Sequence, residues 1–596
     1  MKKFIYIIIS IVFTGLFMSC EDFLEAPSQS TLDESLIFSN PTLAASAIDG
    51  IKEPIGQTNS YRGRYLTHYG ANTDIEWFNN SQTAGARSDL SRYVNSSINT
   101  DMNTANNAWA QMYSGIERAN ICIRGLRTYG DPAPGTEMGQ LLGEALTLRA
   151  IYYADLVKAW GDVVARFEPI SSETMYLPKS SRDVIYKQLI ADLEEASELV
   201  AWPNDNARTM TTEGINRAFV KAFRARICMA AAGYSQFPDG IRRSNDPELS
   251  VSTLYPVAMQ ECTDVITSGK ASLESSFEGF WRKVCEENIT AGGESLWEIP
   301  FADGRGRMAF TFAVRHASAD QYTGQPRGGD YGPLPHVFYD YDVKDTRRDV
   351  TCVPYSWGTA TAGISRQTLN TGNGVSLWYF GKLRYEWMTR FVTSTNDDGL
   401  NEIYMRYAEV LLMAAEIQNE LGNLGPAKDY LKQVRQRAFT LADRPAKVDA
   451  YLNAITTKEQ MFNAIVNEHA YEFCGEMERK AALIRWNLLG SKISEAKTRM
   501  TSLSNREGSY ADVPEKIYYR YASDGESLQF YGLNRGETED RSADYTFNTV
   551  YVSTDKLGET KINSLYTNNP DQNQFWPIWQ VFIDASNGTL KNDYGY

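Results

Sequence analysis

Histidine is nearly absent from this 596-residue chain, which holds only His68, His316, His336 and His469. None stands in an H-E-x-x-H or similar metal-ligating pattern, and Glu468 and His469, being adjacent, point to different faces of a helix. Cysteine is sparse and scattered. Beyond Cys20 there are Cys122, Cys228, Cys262, Cys285, Cys352 and Cys474, with no C-x-x-C pair, so a closely spaced thiolate metal site is excluded. Cys122, Cys228, Cys262 and Cys474 lie in helix-like apolar stretches, which favours buried free thiols over a disulfide framework and leaves an occasional bridge open. No G-x-S-x-G elbow or P-loop occurs, because Gly269-Lys270 and Gly381-Lys382 lack the upstream glycine of a phosphate cradle. Gly304-Arg305-Gly306-Arg307-Met308-Ala309 satisfies G-x-G-x-x-A, but no βαβ unit surrounds it. Positive charge is also in deficit. Against 74 Asp and Glu there are 59 Lys and Arg, a formal net charge of −15, which disfavours nucleic acid as a partner. The acids are too numerous for a glycosidase pair to be chosen without distances. No catalytic residue, metal or cofactor is assigned.

Long apolar runs are missing except at the start. Phe4 to Phe17 is apolar but short of the roughly 20 residues that a bilayer core demands. Lys2 and Lys3 precede it, Ser19-Cys20 follow, and Glu21-Asp22 come next. That order is a lipoprotein signal peptide, although Phe17 stands at position −3 where leucine is usual. The reading is residues 1–19 as the signal, Cys20 as the lipid anchor, 20–30 as a lipidated tether and 31–596 as the body. Acyl chains on Cys20 tether a protein to a membrane without crossing it.

What is present supports a large core: 43% of residues are hydrophobic and 12% aromatic. Glu144 to Trp160 carries Ala145, Leu148, Tyr152, Leu156 and Ala159 on one helical face, with Gly161 as a stop. Ser181 to Val200 and Asn216 to Tyr234 read as a helical hairpin. Ile403, Tyr407, Val410, Ala414, Ile417 and Leu421 predict a helix, broken at Gly422-Asn423 and followed by a second from Pro426 to Phe439. That pair has the size of a tetratricopeptide unit. A last helix is predicted from Lys458 towards Trp486. The fold class is therefore mainly α: a tetratricopeptide-like helical repeat scaffold with an irregular, loop-rich ligand-binding lobe over about 277–400. A C-terminal irregular region spans about 500–596.

Three ordered motifs carry a resemblance. Gly143-Glu144-Ala145-Leu146-Thr147-Leu148-Arg149-Ala150-Ile151-Tyr152-Tyr153 leads into Trp160-Gly161-Asp162. Arg406-Tyr407-Ala408-Glu409 is followed by Gln433-Val434-Arg435-Gln436-Arg437-Ala438. Asn467-Glu468-His469-Ala470-Tyr471-Glu472-Phe473 is followed by Arg479 and Arg485-Trp486. On these the chain resembles the SusD/RagB family of starch-binding outer-membrane lipoproteins. Its end departs from the family pattern, with Pro577-Ile578-Trp579 and Lys591-Asn592-Asp593-Tyr594-Gly595-Tyr596 in place of the usual proline-rich tail. The motif charges read as scaffold: Glu144 and Arg149, or Arg406 and Glu409, pair within a helix or reach a neighbouring one. The resemblance implies a cell-surface protein that captures glycan and passes it to a SusC-like TonB-dependent outer-membrane transporter. It also implies that the helical face meets the transporter and the irregular lobe meets the ligand. Peptide cargo is the alternative within the same fold, and a surface hydrolase the alternative outside it.

Binding residues are read from side-chain chemistry. Asn72 to Asn80 offers Asp74, Trp77 and Asn79, with Arg87 beyond. An aromatic plate suits the C–H face of a sugar, and amide, carboxylate and guanidinium groups suit its hydroxyl rim. Trp77 serves equally well as a core plug. In the middle of the chain Tyr331 and Trp357, flanked by glycine and serine, are expected to be exposed plates.

Overall fold

The structure, a computed structural model, describes residues 33–596. The signal peptide, Cys20 and the tether lie outside the described residues.

Helix boundaries follow the capping chemistry. Helix α1 (Ala108–Tyr129) starts at Asn107, whose side chain accepts from the Ala110 N–H, and α2 (Glu137–Trp160) starts at Thr136 and stops at Gly161, φ 71°. Helices α3 (Arg182–Leu199) and α4 (Arg217–Ala231) are opened by Ser181 and Asn216 in the same way, and α5 (Val251–Ser268) by Ser250. Later come α6 (Tyr407–Glu420), α7 (Leu424–Arg437), α8 (Lys458–Phe473), α9 (Arg479–Arg485) and α10 (Leu489–Asn505). From α1 to α7 each of these helices packs on the next, so they form one helical layer, with α5 and α6 adjacent although the lobe lies between them in sequence.

Strands are short: β1 (Glu76–Phe78), β2 (Ser295–Ile299), β3 (Tyr331–Pro333), β4 (Tyr355–Trp357), β5 (Gln367–Leu369), β6 (Glu402–Arg406), β7 (Lys516–Tyr521), β8 (Leu528–Tyr531) and β9 (Phe547–Val550). Two expectations are corrected here. The helix predicted from Ile403 starts at Tyr407, because Glu402 to Arg406 pairs antiparallel with β2, where Tyr404 packs 5.3 Å from Trp297. β-branched and aromatic side chains suit that half-buried ladder. The long helix predicted from Lys458 breaks after Phe473. Gly475 adopts φ 88°, and a Cβ there would stand 2.9 Å from the Phe380 ring, so the chain turns before α9 begins.

The motif charges are spent on tertiary contacts. Arg149 pairs with Asp192 at 2.8 Å, Glu144 with Arg208 at 2.6 Å and Glu409 with Arg226 at 2.5 Å. Arg406, buried at the α6 start, reaches Glu294 at 2.8 Å, Glu472 at 2.6 Å and Glu476 at 2.7 Å. Arg437 joins Glu294 and Glu472, while Arg347 joins Asp345, Glu468 and Glu472. This network stitches the scaffold to the irregular lobe. The W-G-D motif anchors the C-terminus: Trp160 donates to the Pro577 carbonyl at 3.1 Å and lies 5.5 Å from Trp576. Tyr594 Oη accepts from the Asp162 N–H at 2.9 Å and leaves no room for a side chain at Gly161.

Apolar side chains form two large cores, one within the helical layer and one beneath the lobe and the C-terminal region. All six cysteines in the described residues are buried free thiols. Burial pushes those of Cys122 and Cys285 up to about 12.

Candidate ligand-binding face

The expected plates are not at the surface. Trp77 and Tyr331 are buried in the β1–β3 ladder, where Trp77 faces Gly332 across the strands and Phe78 faces Tyr331. Gly332 is pressed against the Trp378 carbonyl, so the glycine beside Tyr331 serves close backbone approach rather than exposure. Lys561 Nζ closes over the Trp77 ring at 4.2 Å, and burial lowers that amine to about 7. Trp357 is 3% exposed, stacked on His316 at 5.9 Å with Tyr322 4.9 Å away. Of the two readings open for Trp77, the core plug is the one observed; Tyr331 and Trp357 are corrected from exposed plates to core rings. Asp74 is buried and gives both oxygens to Arg479, at 2.9 and 2.8 Å. Burial opposes its ionisation, but the guanidinium outweighs this and holds the carboxyl below its ordinary value. Asn79 donates to the carbonyls of Gly329 and Trp378, tying β1 to the lobe. Arg87, half-buried and paired with Asp330 at 2.6 Å, keeps solvent contact.

An open aromatic face lies elsewhere, on the sheet ordered β8-β7-β9. Side-chain alternation puts Ile517, Tyr519 and Tyr521 of β7 on one side, with Leu528 and Phe530 of β8 and Phe547 of β9 beside them. Ile517 is rooted in the core, and the row then climbs into solvent. Tyr519 and Phe547 stack at 5.2 Å with 25° between their planes, and Phe547 is 41% exposed. Arg366 lies 5.5 Å over Tyr521. The β7–β8 turn then joins the lobe: Gln367 N–H donates to the Glu526 carbonyl at 2.9 Å, and the Gln321 amide donates to Glu526 Oε2 at 3.2 Å. Half-buried Tyr322 follows on.

The opposite side of the sheet is closed by its own residues. Arg541 covers Tyr531 at 5.1 Å and Arg520 covers Tyr545 at 5.1 Å. Half-exposed rings edged by an amide, a carboxylate and a guanidinium can stack on sugar rings and exchange hydrogen bonds with hydroxyls. The sheet itself lies in the C-terminal region of about 500–596 that the sequence marks only as irregular, whereas Gln321, Tyr322 and Arg366 belong to the lobe of about 277–400. A signal was present: Ile517 to Tyr521 and Leu528 to Tyr531 are β-prone runs separated by a segment containing Asp524-Gly525, the pattern of a hairpin.

A cavity of about 140 Å³ lies among α2, α4, α6 and α9, lined by Lys158, Arg226 and Arg485. Each of these cations has its own carboxylate in Glu478, Glu409 or Glu416, which marks the cavity as part of the scaffold. Among the described residues, no group of three or more His, Cys, Asp or Glu side chains is arranged to hold a metal ion.

Comparison with known proteins places this geometry. Residues 293–596 match the model of the SusD family, and residues 22–229 match a model described as "Starch-binding associating with outer membrane". SusD-like protein P25 of Formosa agariphila is 22% identical over 513 residues, covering 81% of this chain and 89% of that protein. SusD-like protein P38 of the same organism is 24% identical, covering 82% and 92%. Among solved structures, a SusD homolog from Bacteroides thetaiotaomicron superposes with a TM-score of 0.69 at 18% identity, covering 94% of this chain and 98% of that one. Surface glycan-binding protein A from the same organism, solved in complex with laminarihexaose, superposes at 0.58 and 18% identity, covering 92% and 99%. By the span of its family match and the fold it shares with these structures, the chain belongs to the SusD family.

Proposed function

We propose that this protein is an outer-membrane lipoprotein, anchored through Cys20, that captures glycan at the cell surface and delivers it to a SusC-like TonB-dependent transporter. Its role is binding rather than catalysis. The observation that carries the reading is the partly exposed aromatic face of Tyr519, Tyr521 and Phe547, edged by Gln321, Glu526 and Arg366. Partly exposed rings on one side of a sheet offer apolar surface to the C–H face of a sugar. The family description and the laminarihexaose complex of a structural neighbour support glycan as the ligand class.

The test is affinity electrophoresis of the lipidated chain in detergent, through gels containing plant, microbial and host polysaccharides, beside Tyr519→Ala and Phe547→Ala. Retardation by a polysaccharide, lost in variants that keep the wild-type melting temperature, is the expected result. Free migration in every gel, with retention of a peptide pool instead, overturns it. For the transporter, co-purification from cells expressing both genes is expected to bring down a large β-barrel.

A further inference from the structure

Most arginines in the scaffold are matched to acids, whereas three of the five that gather at one end of the lobe have no carboxylate partner among the described residues. Arg62, Arg64, Arg87, Arg305 and Arg307 converge from the irregular helix at 58–68, the short helix Ala86–Ser91 and the loop before Met308. Two of them are satisfied: Arg62 by Asp397 at 2.5 Å and Arg87 by Asp330 at 2.6 Å. Among the described residues, Arg64, Arg305 and Arg307 have no carboxylate within 4.0 Å. Arg64 touches only backbone carbonyls, those of Asp101 at 3.3 Å and Gly63 at 3.2 Å. The Arg307 stem runs past Gly63, with its guanidinium 4.6 Å over the Phe310 ring and its Nε buried without a partner. The buried Arg62 also keeps an Nε without a partner.

The nearby acids do not pair directly with Arg64, Arg305 or Arg307. Asp101 keeps 3.9 Å from His68 Nε2, and Asp398 turns inward to accept the Phe310 and Leu400 N–H groups. Burial, then the charges of Arg87, Arg64 and Arg307, hold His68 well below its ordinary value, so it adds no compensating proton equilibrium near neutrality. The chain as a whole is acidic, at −15, so guanidinium groups left without a carboxylate partner stand out. Arg64, Arg87 and Arg307 are half-buried and Arg305 is exposed, so the donors are reachable from solvent yet partly desolvated, where charge-assisted hydrogen bonds gain most. A planar fork that lacks a carboxylate matches the oxygens of a carboxylate or a sulfate.

We propose that this arginine cluster, centred on Arg307 and Arg64, binds an anionic substituent of the glycan: a sulfate ester or a uronate carboxylate. This rests on the glycan-binding reading and narrows it to acidic polysaccharides.

The test compares the lipidated chain with Arg307→Gln, Arg64→Gln and a control, Arg124→Gln, on the exposed side of α1. The probes are dextran sulfate, polygalacturonate, neutral dextran and polyglutamate. Retention by dextran sulfate or by polygalacturonate, weakened at least tenfold in both cluster variants and unchanged in the control, is expected, and the retained probe distinguishes sulfate from carboxylate. Retention that is equal in all three variants reflects general ion exchange and overturns the assignment. So does free migration with both anionic polysaccharides by a chain that still binds a neutral glycan; the glycan-binding reading then stands and this inference falls. Arginine-dependent retention of polyglutamate alone removes glycan as the class and overturns both.

Discussion

The helical scaffold and one end of the irregular lobe differ in how they pair their arginines. In the scaffold Arg149, Arg224, Arg226 and Arg406 each meet a carboxylate, and Arg406 meets three. In the lobe and its border Arg64, Arg305, Arg307 and Arg315 meet none among the described residues; Arg315 donates to the Gly328 carbonyl instead. A buried guanidinium without a partner costs several kcal/mol, so most arginines of the close-packed helical layer sit beside a carboxylate. Partly exposed loops relax that requirement and keep donor capacity for a ligand. The same contrast holds for aromatic rings. Trp160, Trp576 and Trp579 lock together inside the scaffold, whereas Tyr519 and Phe547 stack where solvent reaches them.

The largest effect is expected where the two regions are stitched. Arg406→Met leaves Glu294, Glu472 and Glu476 without their common cation and is expected to cost about 3–5 kcal/mol, read as a large fall in melting temperature by calorimetry. A fall of less than two degrees breaks the claim that this network holds scaffold to lobe. Next comes Trp77→Ala, which empties a core site and is expected to cost about 3–4 kcal/mol. An unchanged melting temperature with lost glycan retention would return Trp77 to the ligand.

Lys480 sharpens the comparison from the other side, as a scaffold cation with no anion. It is buried between the Tyr69 and Tyr93 rings, at 4.9 and 5.0 Å, and burial lowers its amine from 10.5 to about 7. Between those values the unfolded chain holds the proton and the folded chain does not, so this group makes stability rise with pH. Its penalty is full below about pH 7 and gone by pH 10.5. Lys480→Met is therefore expected to stabilise by about 2–4 kcal/mol at pH 6 and by almost nothing at pH 10.5, read from denaturation at both. A gain independent of pH would trace it to packing alone. The smallest structural effect belongs to Phe547→Ala. A change within about 0.5 kcal/mol in stability should accompany a roughly tenfold loss of glycan affinity, measured by calorimetric titration.

How far the sequence was legible depends on the range of the forces involved. Helices α3 and α4, and the Gly161 end of α2, were readable to within a few residues, because caps and apolar periods are local; α2 itself begins at Glu137, ahead of the Glu144 start read from the sequence. The break at Gly475 was not, since the helix-prone run continues across it and the turn depends on Phe380, far away in sequence. Tyr331 and Trp357 were misread for a related reason. Glycine and serine neighbours look alike whether they loosen a loop or let a strand approach a carbonyl.

By itself, then, the sequence determined the helical repeat class, the family motifs and the composition of a large core, all properties of neighbouring residues and their periodicity. Tertiary structure alone decided which rings are plates and which are core, because exposure is set by what packs on a ring from elsewhere: Lys561 closes on Trp77 and His316 on Trp357, whereas Phe547, stacked on Tyr519 of the neighbouring strand, stays 41% exposed. It likewise decided which arginines are spent and which are free, since a charge finds its partner through space rather than along the chain.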